Sequence, residues 1–216
     1  MWNWDYAFDI LPKMLRALPI TIAATLVGFI IASLFGLLLA VMRRSRHKII
    51  SYPVIGFVEF VRNTPLLVQL FFLFYALPLY GIALSPFLCG VIGLGLHYST
   101  YLSEVYRSGI DAVERGQWEA STALNFSKGQ TWLRVILPQA IPPIIPVMGN
   151  YLIVMFKETP LLSAITVVEL MTTAKSIGSQ SFRYVEVFTM VGVLFFILSY
   201  ASSLIVRSLE NRLTRR

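Results

Sequence analysis

The chain has 216 residues, of which 56% are hydrophobic and only 13% are charged, and its mean hydropathy is +0.71. Soluble domains carry about 25% charged residues, so this composition excludes an ordinary soluble protein and indicates an integral membrane protein. One cysteine excludes an intramolecular disulfide, and with only two widely separated histidines no Cys/His metal cluster is expected. The net charge of +7 does not predict nucleic-acid binding, because its basic residues lie between apolar runs.

The first sixteen residues contain two acidic residues before any basic residue, and they lack the positive start of a signal peptide. We therefore expect them to belong to the mature protein. They form either an aromatic anchor at the level of the headgroups or a short amphipathic segment on the membrane. The first span is predicted at about 17–42, where 26 residues carry no formal charge.

Four further spans are predicted from later apolar runs. The 41 residues between Arg62 and Glu104 contain no Asp, Glu, Lys or Arg, and two prolines and a glycine near the middle divide them into two spans. The predicted bounds of the four spans are about 64–84, 86–103, 138–156 and 187–206. The apolar run at 159–168 is too short to cross, so we expect a short helix at the membrane face.

Five spans place the two termini on opposite sides of the membrane, and the Lys and Arg distribution predicts which side is which. Segments 43–62, 104–138 and 207–216 carry 13 basic residues, whereas 1–16, 79–85 and 157–186 carry five. Basic residues concentrate on the cytoplasmic side, so the N-terminus is predicted outside and the C-terminus inside the cytoplasm. No period of 20 to 50 residues recurs, and residues 1–216 are predicted to form one all-α transmembrane domain.

Segment 104–137 is predicted to face the cytoplasm and to contain two short helices. Gly116 is the predicted N-cap of the first helix, and Glu119 is placed in its first turn, where a negative charge favours the helix dipole. The helix then presents one face of small or apolar side chains, formed by Ala120, Ala123 and Leu124. Such a face allows another backbone to approach closely.

The second short helix is predicted to start after Ser127, because Gln130 follows three residues later in a capping-box pattern. This helix is expected to lead through Leu137 into the fourth span. An ordinary amphipathic helix lying on the bilayer would account for the same residues, so the pattern alone leaves both interpretations open.

This segment resembles the cytoplasmic signature of the inner-membrane permease subunits of ABC importers. The signature is E-A-A, three residues, G, nine residues, then I-x-L-P, and the matching residues are Glu119-Ala120-Ser121, Asn125 and Ile136-Leu137-Pro138. Ser121 replaces the second alanine and Asn125 replaces the glycine. Asparagine is the non-glycine residue that best tolerates a left-handed backbone, so we predict that conformation at Asn125.

Other stretches resemble the polar amino acid permeases of the same superfamily. The sequence FVRNTPLLVQ from Phe60 is similar to the start of their second span, and residues 95–120 are similar to their third span and the following loop. KETPLLSAITVVELM from Lys157 is most similar to the ectoine and hydroxyectoine permeases. The resemblance implies a type I (MetI-like) ABC importer permease fold and import of a small polar or zwitterionic solute, either an amino acid or ectoine, by alternating access.

The resemblance further implies a bacterial inner-membrane protein that depends on partners for energy. Two cytoplasmic ATPases would bind ATP and Mg²⁺, an extracytoplasmic binding protein would deliver the solute, and a second permease would be a homologue or another copy of this chain. None of the five lysines completes the phosphate-binding pattern G-x-x-x-x-G-K-[ST], so no cofactor is expected in this chain. The residues expected to dock on the ATPase are Gly116, Glu119, Ala120, Ser121, Ala123, Leu124 and Asn125.

Polar residues at membrane depth are candidates for the solute path, because placing ionisable groups there is costly. The candidates are His97, Tyr98, Tyr101, Glu104, Lys157, Glu158 and Thr159. Three of them, His97, Tyr101 and Glu104, are spaced to share one helix face. Alternatively, Lys157 and Glu158 extend to the outer interface and the tyrosines belong to an aromatic belt or to helix packing. Arg62 is interpreted as a topology anchor, a basic residue at the head of the second span that fixes its orientation in the membrane.

Two other classes of function were compared with the importer. An ion-coupled secondary transporter is the main alternative, but it gives the cytoplasmic signature no role, and the chain lacks the internal repeats common in such proteins. A membrane enzyme is not supported, because no Ser-His-Asp grouping, paired-carboxylate motif or H-E-x-x-H pattern occurs. No catalytic residues are therefore expected. A membrane scaffold also gives the signature no role.

Overall fold

The computed structural model describes residues 2–214, with side chains for residues 2–211, and this part of the chain is built from helices and turns without strands. Met1, Arg215 and Arg216 lie outside the described residues, as does the side chain of Arg212. Three of these four belong to the basic C-terminal segment that was used to predict the orientation.

The helices follow one another with short connections. In chain order they are α1 (Trp4–Arg43), α2 (Lys48–Arg62), α3 (Leu66–Phe71), α4 (Pro86–Asp111), α5 (Arg115–Ala123), α6 (Lys128–Gln130), α7 (Leu137–Glu158), α8 (Leu170–Ser181) and α9 (Tyr184–Thr214). Two π-helical segments, Phe72–Ala76 and Thr131–Ile136, continue α3 and α6, and 3₁₀ turns occupy Leu77–Tyr80 and Thr159–Ile165. The latter turn lies within the short apolar run for which a short helix was predicted.

Three helical stretches of the described chain are long and apolar enough to cross a membrane, namely Trp4–Arg43, Lys128–Ile165 and Tyr184–Asn211. A fourth is present if α2 and α3, which are bent by 103° at their junction, count as one broken span. The predicted number of five is therefore not confirmed. Helix α4 is not among these stretches, and its mean hydropathy is lowered by the polar residues that it buries, among them His97, Ser99, Thr100 and Ser103.

Helix α1 begins much earlier than the predicted first span. Asn3 caps it, since its Oδ1 accepts a hydrogen bond of 3.1 Å from the backbone N–H of Tyr6. Ile10 and Met14 are buried in a small core with residues of α8 and α9, including Leu170 and Val187. Residues 4–16 are thus part of a packed helix and not a separate interfacial segment.

Helix α4 lies at the centre of the main core and runs parallel to α1. Gly36 of α1 makes the contact close, because a Cβ there would lie 2.8 Å from the backbone oxygen of Ser99. Helix α7 packs antiparallel to α4, so that Gly109 meets Ile144 near one end, and Gly90 meets Leu162 of the 3₁₀ turn that follows α7 near the other. This arrangement brings the middle of α7 against the polar face of α4.

Candidate functional site

Four aromatic rings form a connected group between α4 and α7, which we call the aromatic cluster: His97, Tyr98, Tyr101 and Tyr151. Ring centroids lie 5.3 Å apart for His97 and Tyr101, 5.9 Å for Tyr98 and Tyr101, and 5.7 Å for Tyr101 and Tyr151. Three of these residues were candidates from the sequence. Tyr151 was missed, because only the antiparallel packing of α7 against α4 brings it to the others.

Glu158, at the last position of α7, adds a carboxyl group to the aromatic cluster. Its carboxyl group lies close to Tyr98. Its Oε2 is buried, and within the described part of the chain it has no hydrogen-bond partner. A buried carboxylate oxygen without a donor is energetically unfavourable. This atom is therefore well placed to accept a hydrogen bond from a solute.

The two neighbours of Glu158 differ from it in position. Lys157 is exposed, and so it does not share the position of Glu158 beside Tyr98. Thr159 is fully buried, and its hydroxyl donates a 2.8 Å hydrogen bond to the backbone oxygen of Phe156. Of these three predicted residues, only Glu158 brings an unpaired polar atom to the aromatic cluster.

Glu104 lies at the end of α4 that is nearer to α5, where it joins three arginines in what we call the Glu104 network. Its carboxylate accepts hydrogen bonds from Arg43 at 2.5 Å and Arg107 at 2.8 Å, and a longer contact of 3.5 Å joins it to Arg62. Partial burial acts against ionisation of this carboxyl, but the bonds from Arg43 and Arg107 hold its pKa below the ordinary value.

The bend between α2 and α3 is attached to the polar face of α4. The Gln69 side-chain amide donates to the backbone oxygens of Val61 at 2.8 Å and Thr64 at 2.9 Å, and its nitrogen lies 3.1 Å from Nδ1 of His97. These bonds stabilise a segment whose backbone groups leave the regular helix. Gln69 was not predicted, since only the bend brings it near α4.

Arg62 joins the aromatic cluster to the Glu104 network. Its guanidinium carbon lies 5.2 Å from the ring centroid of Tyr101, within the range of a cation–π contact. Tyr101, Glu104 and Tyr151 line, together with Arg62 and Arg107, an open recess of about 460 Å³. The predicted shared face of His97, Tyr101 and Glu104 is confirmed in this respect, because all three meet the segment around the bend.

Helix α5 starts two residues earlier than predicted. Glu114 is its N-cap, with an extended backbone, so the assignment of Gly116 as N-cap is wrong, and Glu119 lies beyond the first turn. Both Gly116 and Glu119 are exposed, as are Ala120, Ala123, Leu124 and Asn125. Ser121 differs, since it is 2% exposed and donates a 2.7 Å hydrogen bond to the Gln117 backbone oxygen.

The buried position of Ser121 follows from helix geometry. Two residues along a helix correspond to a rotation of about 200°, so Ser121 lies opposite Glu119. Four exposed residues of α5 form what we call the α5 outer face: Gly116, Glu119, Ala120 and Ala123. Ser121 does not contribute to it and instead packs α5 onto the rest of the chain.

The turn after α5 confirms the predicted left-handed residue. Asn125 has a φ of +54°, and its N–H donates to the Thr122 oxygen at 3.0 Å. The N–H of Phe126 donates to the Ser121 oxygen at 3.0 Å, which completes a Schellman motif. The predicted capping box is also confirmed, since Ser127 and Gln130 exchange hydrogen bonds of 2.9 Å and 3.3 Å.

Two tryptophans connect α5 to the helix that leads into α7. The rings of Trp118 and Trp132 meet edge to face with centroids 5.3 Å apart. Gln139 on α7 donates to Gln117 on α5 at 3.3 Å. These contacts were not predicted, because the two tryptophans are fourteen positions apart and carry no shared motif. They join α5 to α7 and to the π-helical segment that precedes it.

The chain is similar to known membrane transport proteins over nearly its whole length. Residues 32–215 match the family model described as binding-protein-dependent transport system inner membrane component. The probable amino-acid ABC transporter permease protein y4tG of Sinorhizobium fredii (strain NBRC 101917 / NGR234) is 45% identical, with 100% of this chain and 96% of that protein covered. The L-cystine transport system permease protein TcyB of Bacillus subtilis (strain 168) is 35% identical, with 90% and 84% covered.

Two solved structures resemble the fold. A crystal structure of an amino acid ABC transporter with histidines has a TM-score of 0.93 and 32% identity, and the match covers 98% of this chain and 99% of that one. An inward-facing MetNI methionine ABC transporter has a TM-score of 0.70 at 19% identity, with 93% and 98% covered, which supports the fold alone. The chain belongs to the family of inner membrane components of binding-protein-dependent transport systems, the permease subunits of ABC importers.

Proposed function

We propose that this permease forms the membrane path of an ATP-driven importer of amino acids or similar small zwitterions. The proposal is supported by the relatives named above, whose descriptions mention amino acids and L-cystine. The aromatic cluster and Glu158 line the solute path. Import proceeds by alternating access, in which closure of partner ATPases is transmitted to the helices.

The unpaired Oε2 of Glu158 is the observation that carries this assignment. The ammonium group of an amino acid would give this atom the donor it lacks, and the faces of Tyr98 and Tyr101 also favour a cation. Membrane-buried ionisable residues usually serve a solute or proton path, because hydrocarbon penalises them otherwise. The aromatic cluster therefore recognises the cationic part of the solute.

Energy enters through the α5 outer face. Two cytoplasmic ATPases bind ATP and Mg²⁺, and each receives an α5 helix, with Glu119 facing a basic group of the ATPase. The contacts of Trp118 with Trp132 and of Gln117 with Gln139 carry the displacement of α5 into α7. A second permease, either a homologue or another copy, completes the path, and an extracytoplasmic binding protein supplies the solute.

The protein resides in the bacterial inner membrane with its N-terminus outside and its C-terminus in the cytoplasm. The excess of basic residues in segments 43–62 and 104–138 supports this orientation. The same end of the bundle carries the Glu104 network and α5, which fits a cytoplasmic surface that meets the ATPases.

Within the class of small zwitterions, ectoine and hydroxyectoine form a narrower proposal. The amidinium group of ectoine is a delocalised cation, and tyrosine rings bind such cations through their faces. The aromatic cluster with Glu158 is compatible with that chemistry. Solute affinity of the cognate binding protein separates this proposal from an ordinary amino acid substrate.

The assignment is tested with Glu158→Gln, which keeps the size of the side chain and removes its charge. In proteoliposomes containing the assembled importer, we expect the KM for uptake of the binding protein's solute to rise about tenfold or more, since a charge-assisted hydrogen bond is lost. Lys157→Gln is the matched control, because Lys157 is adjacent and exposed, and its KM should stay within about twofold. Equal KM values for both variants and the unaltered chain would refute the role of Glu158.

A further inference from the structure

We propose that Arg62 closes the solute path toward the α5 end, as a resident cation held between the ring of Tyr101 and the carboxylate of Glu104. The inference extends the proposed function and rests on it, because it takes the aromatic cluster to be part of the path. It replaces the earlier interpretation of Arg62 as a topology anchor.

The position of Arg62 supports this role. Moving from the outer end of the path toward α5, Glu158 is followed by Tyr98, then by Tyr101, and then by Arg62 with Glu104. Arg62 contacts both the last ring of the series and the first residue of the Glu104 network. Arg62 therefore lies at the boundary between the aromatic cluster and the recess on the α5 side.

The contacts of Arg62 allow its side chain to move away and open the solute path. Glu104 is already bonded to Arg43 at 2.5 Å and Arg107 at 2.8 Å, whereas its contact with Arg62 measures 3.5 Å. Loss of the Arg62 contact therefore leaves the carboxylate paired, and no buried unpaired charge results. The Arg62 side chain is also 33% exposed and lines the open recess, so it has room to move.

The backbone that carries Arg62 is fixed, in contrast to its side chain. Gln69 bonds the backbone oxygens of Val61 and Thr64 on either side of Arg62, and the Asn63 side chain donates to the Glu59 oxygen at 2.7 Å. The bend therefore stays in place while the guanidinium leaves Tyr101. Closure by a side chain on a fixed turn requires no rearrangement of α2 or α3.

Accessibility of a cysteine inside the path tests the proposal directly. Glu158→Cys serves as the reporter, and a membrane-impermeant cationic thiosulfonate is added to the α5 side of inside-out vesicles that contain the assembled importer without ATP or solute. The natural Cys89 is fully buried, so the chain without the reporter gives the background. The labelling rate is compared among three Glu158→Cys proteins, which carry the natural Arg62, Arg62→Lys or Arg62→Gln.

We expect labelling about fivefold faster or more with Arg62→Gln, and within about twofold of the parent with Arg62→Lys, which retains a cation for the ring. Tyr101→Leu provides a second route, since it removes the ring that holds Arg62, and it should accelerate labelling as Arg62→Gln does. Equal rates in the Arg62, Arg62→Gln and Tyr101→Leu proteins would overturn the proposal, as would equal acceleration by Arg62→Lys and Arg62→Gln. Because no solute is present, failure of the proposed amino acid specificity would leave this result unchanged.

Discussion

Arg43, the last residue of α1, donates a 2.5 Å hydrogen bond to Glu104 on α4, across 61 positions of sequence. The bond joins the end of α1 to the C-terminal part of α4, and these two helices pack extensively against each other. Glu104→Gln removes the negative charge to which both Arg43 and Arg107 donate hydrogen bonds. We expect the free energy of unfolding in detergent to fall by about 1–3 kcal/mol at pH 7, because charge-assisted bonds contribute this much when partly buried.

The same variant has a defined pH dependence. The pKa of Glu104 is lowered in the folded chain from its ordinary value of 4.5, so the unfolded chain binds a proton at a higher pH than the folded chain does. The stabilisation is therefore present at neutral pH and is lost as the pH falls through the folded-state pKa, below 4.5. Thermal unfolding curves of the parent and Glu104→Gln should converge in acid. Glu59→Gln, an exposed control on α2, should remain within about 0.5 kcal/mol of the parent throughout.

Reversal of the charge on the α5 outer face tests coupling to the ATPases. Glu119→Lys places a cation opposite the basic group proposed on the partner, and such a like-charge contact costs several kcal/mol. The variant should insert into the membrane normally, yet ATP hydrolysis should no longer drive uptake. Uptake and ATPase rates measured on the same proteoliposomes report both properties.

Glu114→Lys is the matched control for that experiment. It makes the same charge change five residues earlier, at an exposed N-cap whose side chain forms no capping bond. Coupled uptake should persist in this variant. Normal coupled uptake with Glu119→Lys would exclude Glu119 from the contact with the ATPase.

Local signals in the sequence were sufficient where a backbone conformation depends on neighbouring residues. The left-handed Asn125 and the capping box of Ser127 with Gln130 could be predicted, because both depend on a few adjacent side chains. The shared face of His97 and Tyr101 followed from helical spacing alone. Gly116 was misassigned, because the true cap, Glu114, uses no side-chain bond and is not a residue type favoured at that position.

Features that depend on tertiary packing could not be predicted. The charged residues Lys13 and Arg16 placed the start of the predicted first span after residue 16. Helix α1 nevertheless begins at Trp4, because Ile10 and Met14 are buried against α8 and α9. Tyr151 joined the aromatic cluster only through the antiparallel packing of α7. Similarly, Ser121 belongs to the motif but faces inward, a distinction that the letters of the motif do not contain.

The close contact between α1 and α4 predicts a strong effect at Gly36. A Cβ at this position would lie 2.8 Å from the backbone oxygen of Ser99, which cannot move without displacing α4. Gly36→Ala should therefore destabilise the protein by about 1–3 kcal/mol, as overpacking commonly does.

Gly56→Ala in α2 is the control, since a Cβ there meets nothing within 4 Å. It should stabilise α2 by about 0.5–1 kcal/mol, because alanine is the better helix former. Thermal unfolding in the same detergent compares the two, and equal effects would contradict the close packing.

Asn125 provides the sharpest test of the turn that shapes the α5 outer face. Its φ of +54° is strained for a β-branched residue and free of strain for glycine. Asn125→Gly should therefore retain stability and copurification with the ATPases. Asn125→Val should destabilise the turn by about 1–2 kcal/mol of free energy, which is the cost of a left-handed residue with a bulky side chain.

Because the Schellman bonds at Asn125 and Phe126 end α5, the destabilised turn should appear as weaker copurification of Asn125→Val with the ATPases at unchanged membrane insertion. Thr122→Val is the control for the valine side chain itself, since it places valine at an exposed position of regular helix where β-branching is already present and no left-handed residue is needed. Copurification of Asn125→Val equal to that of Asn125→Gly would show that docking does not depend on the left-handed turn.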